Sequence, residues 1–298
     1  MENGFFMARD KTRLYYQTYG DPEKPAIVIS DGLGCNGAFF GDFIRYFQGK
    51  AYIVLWNYRG HGQSETPGDK SHITIDYCVS DLEKLMHHLK LKHAIHLGFS
   101  LGVQVVIEYA LKHPRLTDGL IFISGTAGKV LDTFHNNSMF KSIFPFVYYF
   151  MLNKKAEISR FMKELVPTKF VYTVASLTEI DGRLIKKDVF NRYLDHLSTM
   201  DMEAFARLLA NAADHDAWDK IEQLNHPTLI ICGTRDTFTP IQVSERMYEM
   251  IPGAKLVRIR GATHSLLAEQ PDLINLSIEK FLQNKGLISE TEPDQSSG

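Results

Sequence analysis

The sequence predicts an α/β protein: a mostly parallel β-sheet with helices on both faces, interrupted once by a long helical insertion. Short continuous apolar runs alternate with stretches of helical spacing, the pattern of strands covered on both sides. That alternation stops after Gly128 and resumes intact at Pro227. A glycine-flanked serine turn, Gly98-Phe99-Ser100-Leu101-Gly102, joins one apolar run to a helix-like one.

Residues 4–8 and 13–19 read as two opening strands, 25–30 as a buried strand, 38–47 as a helix and 51–56 as the next strand. Residues 75–89 carry apolar side chains at helical spacing, with Thr74 or Asp76 available to cap the start. The run 93–97 supplies the strand before the glycine turn, 103–113 its helix and 120–124 another strand. Within the insertion, 140–152, 156–165, 170–177, 187–196 and 202–213 read as helices. Strands at 227–232 and 255–259 flank a helix at 241–250, and 265–284 forms the last helix, giving eight strands in all.

The expected organisation is a core built from 1–126 and 217–286, a helical cap at 127–216, and a disordered tail at 287–298. A cap inserted beyond the carboxyl ends of the strands would lie over a site there; the plainer alternative makes those helices part of the core layer. The tail is rich in Ser, Glu, Pro and Asp and has no apolar face.

A chain of 298 residues, 44% of them hydrophobic, is long enough for a substantial core. Its 35 acidic and 33 basic residues leave a net charge of −2, which gives no electrostatic case for a nucleic acid or an anionic membrane surface. Cys35, Cys78 and Cys232 are far apart, against a disulfide framework or a zinc site. The start shows no signal-peptide pattern, and the apolar stretch 143–152 contains a proline and is too short to span a bilayer. The expectation is a cytoplasmic protein, monomer or homodimer, without cofactor or metal, acting on a small molecule.

Chemistry concentrates on Ser100. At a sharp strand-to-helix turn its hydroxyl stands clear of the sheet beside helix N-terminal amides, and the close approach of strand and helix leaves room only for Gly98 and Gly102. A serine hydroxyl needs a base, and that base a carboxylate. Asp236 and His264 each follow a late strand at the same sheet edge, in the order serine, acid, histidine; Asp132 is the alternative acid. Asp31-Gly32-Leu33-Gly34-Cys35-Asn36-Gly37 is glycine-rich enough to bring the Leu33 amide beside that of Leu101 as an oxyanion hole.

Together Gly98 to Gly102, Asp236 and His264 resemble the α/β-hydrolase superfamily over residues 13–283. Asn57-Tyr58-Arg59-Gly60-His61-Gly62-Gln63-Ser64 is similar to the family's D-x-R-G-x-G-x-S turn, Gly233 to Pro240 to its acid loop, and Gly261 to Ser265 with Glu269-Gln270-Pro271 to its histidine loop. Two departures stand out. Asp31 replaces the usual histidine before the oxyanion residue, and it should turn away to bond the loop's own amides. Asn57 replaces an aspartate whose role is structural.

The resemblance implies a serine hydrolase of carboxylic esters, esterase- or lipase-like, working through an acyl-serine; a serine at the elbow argues against dehalogenases and epoxide hydrolases. Carbon–carbon bond hydrolases, thioesterases, perhydrolases and proline-type aminopeptidases remain open, the last with Glu179, Asp181 or Glu203 gripping an amino terminus. So does a receptor on the same fold with little turnover. Gly32, Phe99, Phe144, Phe146 and Tyr149 are candidate substrate contacts, although core packing is the preferred reading of the three insertion aromatics.

Overall fold

The computed structural model describes residues 1–133, 138–165 and 183–289; the helix expected at 170–177, Glu179, Asp181 and residues 290–298 lie outside them. Its strands are β1 (Glu2–Met7), β2 (Arg13–Tyr19), β3 (Ala26–Ser30), β4 (Tyr52–Trp56), β5 (Ala94–Phe99), β6 (Thr117–Ile123), β7 (Thr228–Gly233) and β8 (Lys255–Ile259). They form one sheet in the order β1-β2-β4-β3-β5-β6-β7-β8. β2 pairs antiparallel with β1 and β4, and every later pairing is parallel.

Period-two alternation within the apolar runs decides which face each side chain serves. Ile27 and Ile29 of β3, with Ile53 and Leu55 of β4, point to one face and pack under α1 (Gly41–Phe47) and the last helix. Val28, Val54 and Trp56 point to the other, under α2 (Ile75–His88) and α3 (Leu101–Lys112). Most are wholly buried, each contributing about 1.5–3 kcal/mol relative to exposure. Thr74 caps α2, its hydroxyl accepting from the Tyr77 amide at 3.2 Å.

Between β6 and β7 lie α4 (Val130–Thr133), α5 (Ser138–Asn153), α6 (Lys155–Leu165), α7 (Lys187–Thr199) and α8 (Met202–Asp214). The ends of this insertion are stitched together: the Ala217 amide donates to the Ala127 carbonyl at 2.8 Å. Gln104, wholly buried on α3, donates from Nε2 to the carbonyls of Gly128 at 2.8 Å and Ala212 at 3.2 Å. One core side chain thus holds both the entry and the exit.

Two expectations at the end of the chain need correction. The last helix is two, α10 (Leu266–Glu269) and α11 (Pro271–Asn284), with α9 (Ile241–Met250) before them. Pro271 has no N–H and sets its predecessor outside the helical region, so the chain breaks at Gln270 and restarts with proline in the first turn. The tail begins later than residue 287, because Ile288 is only 5% exposed within the core cluster and Leu287 packs against it. No helix among the described residues is long and apolar enough to cross a membrane.

Candidate active site

Every parallel strand ends at the same sheet edge, and the loops leaving that edge carry the candidate residues. Ser100 directly follows β5 with φ 53° and ψ −117°, a strained backbone for a residue with a Cβ. Its amide donates to the Ile123 carbonyl at 2.9 Å, tying the elbow to β6. The flanking glycines have the reason the sequence suggests: a Cβ on Gly98 would lie 2.6 Å from the Gly102 carbonyl oxygen, and one on Gly102 would lie 1.9 Å from that of Ser30.

Ser100, His264 and Asp236 meet. His264 Nε2 is 2.9 Å from Ser100 Oγ, and its Nδ1 lies 2.9 Å and 3.1 Å from the two Asp236 oxygens. A carboxylate can only accept, so Nδ1 carries the proton and Nε2 presents its lone pair to the serine hydroxyl. Asp236 is fully buried at its side chain, whereas His264 keeps 16% exposure. Burial alone would raise the Asp236 pKa; the His264 ring and the Thr239 amide outweigh it, and the group sits below the usual carboxylate range. Asp236 also accepts from the Phe238 amide and the Thr239 hydroxyl, each at 2.9 Å. Asp132 is elsewhere, exposed and paired with Lys141 Nζ at 2.6 Å.

The histidine ring has two aromatic neighbours, with centroids of Phe99 at 5.5 Å and Phe238 at 5.0 Å. Behind it, Glu269 accepts from both the amide of Thr263 at 2.8 Å and its hydroxyl at 2.6 Å. Sequence reasoning named neither Phe238 nor this brace. The Glu269-Gln270-Pro271 signal was visible, but its partner was not.

The loop after β3 passes the serine. Among the described residues the amides of Leu33 and Leu101 have no protein acceptor, and Leu101 is the first residue of its helix, where amides point along the axis unbonded. Asp31 turns back as expected: Oδ1 accepts from the Gly32 amide and Oδ2 from the Gly37 amide, each at 2.7 Å. Complete burial nonetheless raises its pKa to about 6. Gly32 sits on Phe99, whose ring is a 3.2 Å neighbour of any Cβ there, and Phe99 is 3% exposed. The insertion arrives above this loop, since a Cβ on Gly34 would meet Phe205 of α8 at 3.1 Å and Leu197 of α7 at 3.3 Å.

The other expected contacts do not gather here. Phe146 and Tyr149 are exposed, at 73% and 65%, on the surface of α5, and the half-buried Phe144 faces Tyr148 within the same helix at 6.1 Å. Glu203 is held by Arg207 one turn along α8, with 3.0 Å contacts. A surface groove of about 800 Å³ lined by Lys129, Asp132, Trp218 and Arg246 includes none of Ser100, Asp236 or His264. In the turn after β4, Arg59 is clamped by Asp81 at 2.5 Å and Asp10 at 2.6 Å, and Asn57 Oδ1 accepts from the Gln63 amide at 3.3 Å. Both roles are structural. No cluster of metal-binding side chains occurs among the described residues.

The family model of the alpha/beta hydrolase fold matches residues 25–271. The chain belongs to that family. Among curated relatives, the 3-oxoadipate enol-lactonase 2 of Acinetobacter baylyi is 24% identical over 91% of this chain and 93% of its own length. The pimeloyl-[acyl-carrier protein] methyl ester esterase of Aliivibrio fischeri is 25% identical over 91% and 98%. A crystal structure of a hydrolase from Pseudomonas aeruginosa superposes with a TM-score of 0.77 at 22% identity, covering 94% of this chain and 98% of that one, which shows the shared fold. Within this alpha/beta hydrolase, the serine, acid and histidine loops all fall inside the matched span.

Proposed function

We propose that this alpha/beta hydrolase cleaves carboxylic esters by a serine mechanism. The observation that supports it is the continuous hydrogen-bonded chain from Ser100 Oγ through His264 to the buried carboxylate of Asp236. His264 takes the proton as Ser100 Oγ attacks the ester carbonyl, and the charge on the oxygen develops toward the open amides of Leu33 and Leu101. The imidazolium, held by Asp236, returns the proton to the leaving alcohol, leaving an acyl-serine. Water then attacks with His264 again as base, and carboxylic acid departs.

Each oxyanion amide contributes about 3 kcal/mol to the barrier reduction in such sites. Phe99 and Phe238 beside His264, with Phe205 and Leu197 over the Gly34 end of the loop that carries Leu33, favour an apolar acyl or alcohol group. The insertion acts in this reading as the cap that selects it. A lactonase and a methyl ester esterase among the relatives agree with ester chemistry. The three cysteines, all unpaired and buried, fit a reducing cytoplasm.

The test is turnover of p-nitrophenyl esters of graded acyl length, beside labelling by an aryl fluorophosphonate. Wild type should turn over repeatedly and carry the label at Ser100. Ser100→Ala should lose label and at least about 10³-fold of turnover. A folded wild type that takes no label and cleaves no ester defeats the proposal.

A further inference from the structure

α5 turns an apolar stripe outward. Ile143, Phe146, Val147 and Phe150 follow i, i+3, i+4, i+7 spacing, so they share one face, and they are 44%, 73%, 39% and 47% exposed. Tyr149 beside them is 65% exposed, and Phe161 on α6 is 59% exposed. Six of the thirteen large exposed apolar side chains among the described residues stand on these two helices. α5 packs on α4, α6 and α8, yet this stripe stays in water. A concentration of this kind on two adjoining helices marks an interaction site.

The charge around the stripe says what it meets. Residues 138–165 carry five basic side chains, Lys141, Lys154, Lys155, Arg160 and Lys163, against two acidic ones, Glu157 and Glu164. Basic residues therefore outnumber acidic ones by three in this stretch although the whole chain is net −2, and the whole-chain balance that argued against an anionic membrane surface hides a local excess of the opposite sign. Lys141 and Lys154 share their charge with Asp132 and Glu157 across exposed pairs, at 2.6 Å and 3.5 Å, which are weak in water. Exposed aromatic rings framed by Lys and Arg match the boundary of a bilayer with anionic headgroups: rings enter the headgroup–acyl zone, and the long cationic side chains reach the phosphates. A second copy of the chain fits less well, because a two-fold interface would set one basic rim against the other.

We propose that α5 and α6 dock this protein peripherally on an anionic phospholipid surface, without spanning it. This is independent of the ester chemistry and would stand if that reading failed. Docking would bring the helices that lie between β6 and β7, and with them the approach to Ser100, against the lipid.

The test is co-sedimentation of the full chain with vesicles of phosphatidylcholine alone and of phosphatidylcholine mixed with phosphatidylglycerol. Wild type should bind the mixed vesicles at least about tenfold more tightly than the neutral ones, with the difference shrinking as salt rises. Phe146→Ser with Phe150→Ser should weaken binding to mixed vesicles about tenfold or more, while Phe146→Leu with Phe150→Leu retains it. Lys154→Glu with Lys155→Glu should abolish the preference for anionic lipid. Both aromatic positions are exposed, so an unchanged melting temperature shows that the serine pair is folded. Three results overturn the proposal: no vesicle binding by wild type, equal binding by the serine pair, or a solution dimer, seen by light scattering, that the serine pair dissolves.

Discussion

Glu269 holds Thr263 twice, accepting from its amide at 2.8 Å and its hydroxyl at 2.6 Å, one residue before the histidine that faces Ser100. The carboxylate belongs to the short helix α10, so these two bonds tie that helix to the histidine loop. His264 takes its ring position from this brace on one side and from Asp236 on the other.

Glu269→Ala should therefore slow the reaction without touching substrate. The variant leaves two buried donors of Thr263 without their acceptor, at a cost of about 1–3 kcal/mol of stability. The histidine loop loosens, and kcat on a soluble ester should fall about 10- to 100-fold with KM little changed. Glu269→Gln, which keeps one acceptor oxygen, should fall between; steady-state kinetics of both variants check this. Equal loss in the two would point to charge rather than position.

Gly102→Ala should fail to fold. A methyl group there would overlap the Ser30 carbonyl oxygen at 1.9 Å, and both partners are backbone, so neither can move aside. The soluble yield should collapse, with any residual protein lacking a cooperative melt. A well-behaved alanine variant would mean that strand and helix are farther apart than described.

Stability should decline below neutral pH, in part through two buried imidazoles. Burial lowers the pKa of His61 to about 4 and of His96 to about 3, from about 6.5 in an unfolded chain. A depressed folded-state pKa means that the unfolded chain binds the proton first. The stabilisation is complete above about 6.5 and drains away as pH falls toward those values. Asp31 and Asp81 act in the opposite direction, because burial raises each to about 6 and their ionisation above that pH weighs against the fold. His96 packs on Tyr109 at 4.6 Å, so His96→Phe keeps the ring contact. In urea titrations from pH 7 to pH 4 the variant should gain on wild type as pH drops.

Phe205→Ala should widen the acyl preference. Phe205 reaches from α8 to within 3.1 Å of where a Gly34 side chain would start, directly above the loop that carries the Leu33 amide. Removing the ring opens space over that loop. The ratio of kcat/KM for octanoyl over acetyl p-nitrophenyl esters should rise about tenfold, since each added methylene buried is worth about 0.8 kcal/mol. An unchanged ratio would place the acyl chain elsewhere.

Much of the architecture was legible because parallel strands buried on both faces write themselves as unbroken apolar runs: Ala26–Ser30 and Tyr52–Trp56 are buried at every position. Ser100 and Asp236 could be singled out because each follows such a run, and His264 because it follows the last strand at the same sheet edge, in a fixed order. The rest depended on tertiary placement. Helical spacing in residues 143–150 shows an apolar segment but not which side finds a neighbour, so Phe146 and Tyr149 could be read as core or pocket when they are in water. Glu269 lies near His264 in sequence, yet only the turn at Ser265 decides that its carboxylate folds back on Thr263. Leu287 and Ile288 are only two apolar residues at the edge of a polar tail, too short a run for periodicity to register.

The stitch between Ala127 and Ala217 makes the insertion a detachable cassette. Its two ends leave the sheet hydrogen-bonded to each other at 2.8 Å, and Gln104 grips Gly128 and Ala212 just inside that junction. A different run of helices, or a short turn, could be spliced between those points while β6, β7 and the elbow on α3 keep their places. If the proposed ester chemistry holds, exchanging the segment between related hydrolases should shift substrate choice while Ser100 keeps its setting.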